Sequence, residues 1–434
     1  MKHPARLTPL LPALALLLAS PAILAFDLSE AWQAARSYNS DYAGSRADLT
    51  AGRELAVQGR AQLLPQVGLT GSYSHTNPTQ PAGQASYDSS GYGVQLAQPL
   101  FDVSKYSAYQ KGKIASQQAD TSFGAAEQQL MVEIARAYFD VLLAEDTLTA
   151  TRASKKAYQT QLQQAKTAFD LGTATIIDTH EAQAGYDAAS AREIVALNQQ
   201  EISQNNLRRL TGLDPRAIQP LQAQIPPPPT GDLQSWLEVA THNSLALRAA
   251  EQALQYASQT VTEKRGNHLP VVALNAGYND NRSNQNGALP VTRGSSIGVS
   301  VSLPLFAGGG INSQIREALA KEESARDKLE STRRQLREDV RKSWLGVTNG
   351  AALVRAQQQL LVSAKSKVDS TKLGKEVGIR TNLDVLQAEQ SYYDAMTSLA
   401  TAKYDYLTAR LQLEQVAGTL DEGRLQIVNA AIRH

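Results

Sequence analysis

Residues 102–170 contain no proline, and their apolar side chains return at every seventh position. Ile134, Val141, Leu148, Leu162 and Phe169 form one row, and Phe123, Leu130, Ala137 and Ala144 form a second. Two rows kept in seven-residue register mark a coiled-coil seam rather than the face of a globular helix. At 1.5 Å per residue such a helix is ~100 Å long, whereas helices of globular domains average about 11–12 residues. The pattern predicts an extended molecule.

The run occurs twice. Val340, Val347, Val354, Leu361 and Val368, flanked by Leu329 and Leu336, place a second long helix over 307–376. Other motifs recur with it. Leu64-Pro65-Gln66-Val67 returns 205 residues later as Leu269-Pro270-Val271-Val272, and Gln98-Pro99-Leu100-Phe101 returns as Leu303-Pro304-Leu305-Phe306. Gly172-Thr173-Ala174-Thr175-Ile176-Ile177-Asp178 returns 206 residues later as Gly378-Ile379-Arg380-Thr381-Asn382-Leu383-Asp384. This period is far above that of solenoids and propellers. It predicts two copies of one large unit, 26–225 and 232–434. Between them, residues 226–231 form a proline-rich linker that cannot be helical. Shorter helices are expected over 28–62 and 176–212 in the first copy, and over 233–267 and 382–418 in the second. Each such pair sums to one long helix, so two short helices stacked end to end beside each long one is the economical packing.

Each copy also holds two alternating segments, 66–75 with 90–98 and 271–280 with 295–303. Val67, Leu69, Tyr73, Tyr92, Val94 and Leu96 take one face in the first copy, and Val272, Leu274, Tyr278, Ile297, Val299 and Val301 in the second. Small or polar residues fill the other face, as in strands of an outer-membrane barrel. The connecting loops, 77–89 and 279–294, are rich in Asn, Gln, Ser, Pro and Gly. A soluble sheet with one wet face alternates in the same way; the amino terminus favours the barrel. Lys2 and Arg6, the apolar stretch Leu10 to Leu18, and Ala22-Ile23-Leu24-Ala25 make residues 1–25 a secretory signal, with cleavage after Ala22 as an alternative. A membrane barrel needs roughly eight strands, and open edges in hydrocarbon are not tolerated. Closure must come from other chains, and two, three or four copies each satisfy the count.

Removing the signal changes the formal net charge from +1 to −1, since it holds two cations and no acid. A neutral balance gives no support to a nucleic-acid partner. The chain has no cysteine, which excludes disulfides, thiolate metal sites and a lipid-modified amino terminus.

On the paired Leu-Pro and Pro-Leu-Phe motifs, Phe306-Ala307-Gly308-Gly309-Gly310-Ile311-Asn312-Ser313-Gln314, Val377 to Leu386, and Gly418-Thr419-Leu420, the chain resembles the TolC family of outer-membrane channel-tunnels. The resemblance implies an α+β membrane protein and a homotrimer. Its twelve-stranded β-barrel, four strands per chain in outer-membrane lipid, continues as a twelve-helix periplasmic α-barrel. It further implies docking to an inner-membrane pump or ABC-type translocase through a periplasmic adaptor (membrane fusion) protein. Export of drugs, small molecules or proteins is the implied function, with the passenger left open.

Thr175 with Asp178, and Thr381 with Asp384, each have capping-box spacing. By the resemblance, Asp384 also forms a carboxylate ring at the periplasmic entrance, which favours cations. The position one turn on, acidic in some relatives, is Gln387 here. Arg380, Asp178 and Gln161 match the family's closed-state lock, Arg380 with Asp178 being the leading pair. Lys375, Lys372 and Lys403 occupy lock positions with altered chemistry. No enzyme is expected: His75, His180, His242 and His268 are scattered without metal spacing, and Gly308-Gly309-Gly310 lacks a phosphate-loop ending. The chain implies no cofactor. A secreted trimeric coiled-coil structural or adhesive protein is the alternative; it explains the heptads but not the paired strands.

Overall fold

The computed structural model describes residues 26–78, 85–221, 225–284, 291–430 and 432; the signal segment and both hairpin tips lie outside them. The elements run α1 (Leu28–Tyr38), α2 (Ser40–Ala61), β1 (Gln66–Thr76), β2 (Tyr87–Phe101), α3 (Val103–Asp170) and α4 (Ile176–Thr211). The same order then recurs as α5 (Leu233–Asn243), α6 (Leu245–Gly266), β3 (Val271–Ser283), β4 (Val291–Ser302), α7 (Gly310–Glu376) and α8 (Asn382–Val416), followed by α9 (Glu422–Asn429). Helices α3 and α7 have 68 and 67 residues. At 1.5 Å per residue each is ~100 Å long.

Helices α2 and α4 both pack along α3, and α6 and α8 along α7, while α6 and α8 also touch α3. The seven-residue rows are the seam. Ile134, Val141, Leu148 and Leu162 are buried, as are Leu130, Ala137, Ala144, Val340, Val347, Val354 and Val368. Phe169, at the end of its row, is instead exposed, one residue before α3 stops.

The expected helix 28–62 is two helices. At Asn39 the backbone turns extended (φ −69°, ψ 120°). Its N–H closes α1 on the Ala35 carbonyl at 2.8 Å, and its side chain accepts the Tyr42 N–H at 2.9 Å. The expected helix 233–267 breaks in the same way at Ser244, 205 residues on. Asn and Ser offer the backbone a side-chain partner that competes with the helix. The strands run longer than expected at their hairpin ends. Polar cross-strand pairs such as His75 with Asp88 and Asp280 with Arg293 keep the ladder intact there.

A mid-length core joins the chain's two ends. Phe26, Leu28 and Trp32 meet Tyr138, Phe139, Tyr406, Leu411, Leu425 and Val428. Asn429 accepts the Leu28 N–H at 3.0 Å and donates to Asp27 at 2.9 Å, across 402 residues of sequence. The proline linker lies over α8, where the Tyr406 hydroxyl donates to the Pro226 carbonyl at 2.9 Å and Arg410 Nη1 to that of Pro227 at 2.7 Å.

The sheet is one antiparallel meander, β1-β2-β3-β4, so β1 and β4 are open edges of the single chain. Its apolar face is bare, Leu69 being 77 % exposed and Ile297 78 %. Among the described residues, no helix is long and apolar enough to cross a membrane.

Candidate gating site

The α3–α4 and α7–α8 turns lie at the end of the long helices farthest from the sheet. Both reverse the chain through a glycine in the left-handed region, Gly172 at φ 71° and Gly378 at φ 81°, where a side chain would be strained. The Thr173 and Ala174 N–H groups donate to the Ala168 carbonyl at 2.8 and 3.2 Å. Those of Ile379 and Arg380 donate to the Gly374 carbonyl at 2.9 and 3.2 Å. One turn geometry is written twice.

Each turn ends on a capping box. The Thr175 N–H and hydroxyl donate to Asp178 Oδ2 at 2.9 and 2.7 Å, and the Asp178 N–H donates back to the hydroxyl at 3.3 Å. Thr381 and Asp384 repeat this at 2.9, 2.9 and 3.1 Å. These donors hold both carboxyls below the usual range. For Asp178 the Thr175 hydroxyl contributes most, with a smaller part from the Lys375 charge. For Asp384 the Thr381 N–H leads, with a smaller part from Arg380. In both residues the contacts fall on Oδ2, so Oδ1 is left for another partner. Capping and an outward-facing charge are compatible in one side chain. Gln387, one turn on, is exposed.

A second cluster ties the helix pairs together. Glu389 of α8 is 4 % exposed, sealed between α3 and α7. Lys372 of α7 reaches it at 2.8 Å, and the buried Gln161 of α3 donates its Nε2–H to the same carboxylate. These residues border a cavity of ≈ 530 Å³ with Lys375, Glu376 and Val385. Lys375 itself donates to Asn382 at 2.8 Å, bracing the α7–α8 turn. Next to Glu389 on α8, Gln390 accepts from Arg192 of α4 and, at 3.2 Å, from the Tyr158 hydroxyl of α3.

The structure therefore joins two of the residues picked from sequence, Gln161 and Lys372, through a third that sequence reasoning missed. The available signal was a charge on a buried stripe, since Glu389 follows Val385 and Leu386 by one helical turn. Arg380 and Asp178 make no ion pair with each other within this chain, among the described residues. Lys403 is half-buried on α8, beside a cleft that also carries Glu145 and Asp146. The neighbouring Tyr404 hydroxyl donates to Asp146 at 2.8 Å.

Comparison with known proteins places this architecture. The chain is 33 % identical over 436 residues to the outer membrane protein TolC of Vibrio cholerae, covering 99 % of each. It is 33 % identical over 428 residues to the alkaline protease secretion protein AprF of Pseudomonas aeruginosa, covering 96 % of this chain and 89 % of that one. It shares the fold of the Campylobacter jejuni CmeC outer membrane channel, with TM-score 0.80 at 17 % identity, covering 94 % of this chain and 89 % of that one. The model of the outer membrane efflux protein family matches residues 31–213 and 236–419, on either side of the proline linker. With its full-length likeness to TolC, its four-stranded antiparallel sheet and its two capped helical turns, the chain belongs to the outer membrane efflux protein family.

Proposed function

We propose that three copies of this chain form an exit duct across the outer membrane. Their sheets close edge to edge into one barrel, and their helices continue it as a tube through the periplasm. The observation that carries this reading is the bare, two-edged sheet. One chain leaves both β1 and β4 unpaired and an apolar face uncovered; the open edges are not tolerated in hydrocarbon unless other strands complete the ring, and the bare face is unfavourable in water. The two sequence copies, 26–225 and 232–434, then act as quasi-equivalent sixths of the wall.

The capped turns line the periplasmic entrance. Asp384, repeated by each chain, sets a carboxylate ring through its uncommitted Oδ1, and Gln387 adds a polar, uncharged level beside it. Like charges lining a constriction favour cations. The Gln161–Glu389–Lys372 cluster holds the α7–α8 pair against α3 within each chain, and Arg380 with Asp178 closes the link between neighbouring chains. Opening requires α7 and α8 to swing away from α3 and α4.

An inner-membrane pump or ABC-type translocase, joined through a periplasmic adaptor, supplies the passenger. AprF is named for alkaline protease secretion and a Brucella suis relative for efflux, so both passenger classes fit this wall. Reconstitution into planar bilayers tests the proposal. Discrete, cation-preferring channels whose conductance rises in Arg380→Ala support it, and protein that forms no channel contradicts it.

A further inference from the structure

Beyond the helical gate, a cluster of charge sits at the hairpin end of the sheet, on the same face as the apolar residues. Along β3 the parity of Val272, Leu274, Ala276 and Tyr278 continues into Asp280 and Arg282. Strand register sets Asp280 opposite Tyr92 of β2 on one side and Arg293 of β4 on the other. Arg293 Nε donates to Asp280 Oδ2 at 2.7 Å, Arg282 Nε to Oδ1 at 3.3 Å, and the Tyr92 hydroxyl to Oδ2 at 3.2 Å.

The partners differ sharply in exposure. The Asp280 side chain is 1 % exposed, whereas those of Arg282 and Arg293 are 51 % and 59 % exposed. Each guanidinium spends its Nε–H on the carboxylate. The terminal amino groups of both arginines carry no hydrogen bond among the described residues, so each presents a free fork outward. One carboxylate, Asp280, answers two guanidinium groups; the other acid on this face, Asp88, is engaged by the Tyr73 hydroxyl at 3.0 Å and by His75 at 2.8 Å. An ion pair serving only to fix the hairpin register would be complete with Arg293 alone.

Height above the apolar band identifies what the forks meet. Six residues separate Val272 from Tyr278, ~20 Å along the strand at 3.3 Å per residue and ~15 Å of height at the roughly 40° strand tilt of such barrels, within their apolar band of roughly 25 Å. Tyr278, Tyr92 and Tyr73 occupy three successive cross-strand rows towards the hairpin end, Tyr92 opposite Asp280 and Tyr73 in the row of Ser90 and Arg282, as in an interfacial aromatic girdle. Arg282 lies four residues beyond Tyr278, ~13 Å along the strand, in the row of Tyr73 within the tyrosine girdle, where the apolar band gives way to lipid headgroups. Planar arginine forks at that depth match phosphate oxygens.

We propose that Arg282 and Arg293, oriented by Asp280, form a binding site for the phosphate group of an outer-leaflet lipid headgroup. The site rests on the barrel reading above, because only a barrel turns this sheet face toward lipid. Three chains repeat the site three times around the barrel, and Asp280 acts as a positioning residue.

The test is lipid retention by the detergent-purified oligomer, measured by native mass spectrometry against a phosphate-bearing lipid, the same lipid without its phosphate, and inorganic phosphate. Wild-type protein is expected to retain the phosphorylated lipid. Arg282→Gln with Arg293→Gln should lose about 30-fold, at about 1 kcal/mol for each of the two headgroup cations. Arg282→Lys with Arg293→Lys, which keeps charge but not the fork, should lose part of it. The lysine variant carries the test if the glutamine variant fails to assemble. Equal retention by wild type and the assembled variants, or of both lipid forms, overturns the proposal. Inorganic phosphate that binds as well as the lipid overturns the lipid assignment. Conductance on the same samples keeps the readings apart: a conducting oligomer without phosphate-lipid retention refutes this site alone, and wild-type protein that forms no channel removes the barrel with it.

Discussion

Lys372→Ala is the perturbation that asks most of the proposed gate. Glu389 keeps its side chain 5 % exposed while Lys372 is 51 % exposed. Breaking a fully buried pair costs about 3–5 kcal/mol, and an exposed pair is worth about 0–1 kcal/mol. A pair with one member on each side falls near 2 kcal/mol by the same two limits. Gln161 still donates to the carboxylate and offsets up to about 1 kcal/mol, leaving about 1–2 kcal/mol per chain. Since 1.4 kcal/mol is about a tenfold change in an equilibrium, the open fraction should rise about tenfold, or more if the chains open together. Single-channel recording reads this as higher open probability in Lys372→Ala. Glu389→Gln added to Lys372→Ala should return the gate toward wild type, because it removes the stranded charge. A Lys372→Ala channel with unaltered conductance and open fraction would refute the reasoning.

Three further outcomes follow from named residues. Arg380→Ala or Asp178→Ala should each raise single-channel conductance, and unchanged conductance in both would remove the interchain link. A Cβ on Gly112 would lie 2.4 Å from the Leu55 carbonyl oxygen, so Gly112→Ala must separate α2 from α3. It should cost about 1–3 kcal/mol, seen as a lower melting temperature of the oligomer, and an unshifted melt would show that the helices yield freely. Finally, the Asp178 and Asp384 carboxyls are held below their ordinary values. A depressed folded pKa gives stability that is present above the unfolded value and lost as pH falls through the folded one. Cation preference should therefore hold from neutral pH down to about pH 4 and fall only below it. A reversal potential that collapses between about pH 7 and 5 would contradict the assignment.

The parts of the fold legible in the sequence are those written as local periodicity. The seven-residue rows ending in Leu162 and Val368 are the observed seam, and the parity of Val67, Leu69 and Tyr73 is the observed strand face. The breaks at Asn39 and Ser244 were not legible, because a single capping residue interrupts a helix without disturbing the apolar rhythm around it. The repeat did hold the clue, since both breaks fall at equivalent positions. Glu389 was missed for another reason. Its partner Gln161 lies 228 residues away in sequence, and only packing of α8 against both α3 and α7 reveals that its charge is buried. The capping boxes were legible from spacing alone, as Thr175 and Asp178 satisfy each other within one helical turn.

The central claim is that one chain is an incomplete wall. Its most direct test is the mass of the folded protein extracted from outer membranes in mild detergent, by light scattering corrected for bound detergent. The account predicts an assembly of three chains. A well-folded monomer that stays soluble without detergent would contradict it.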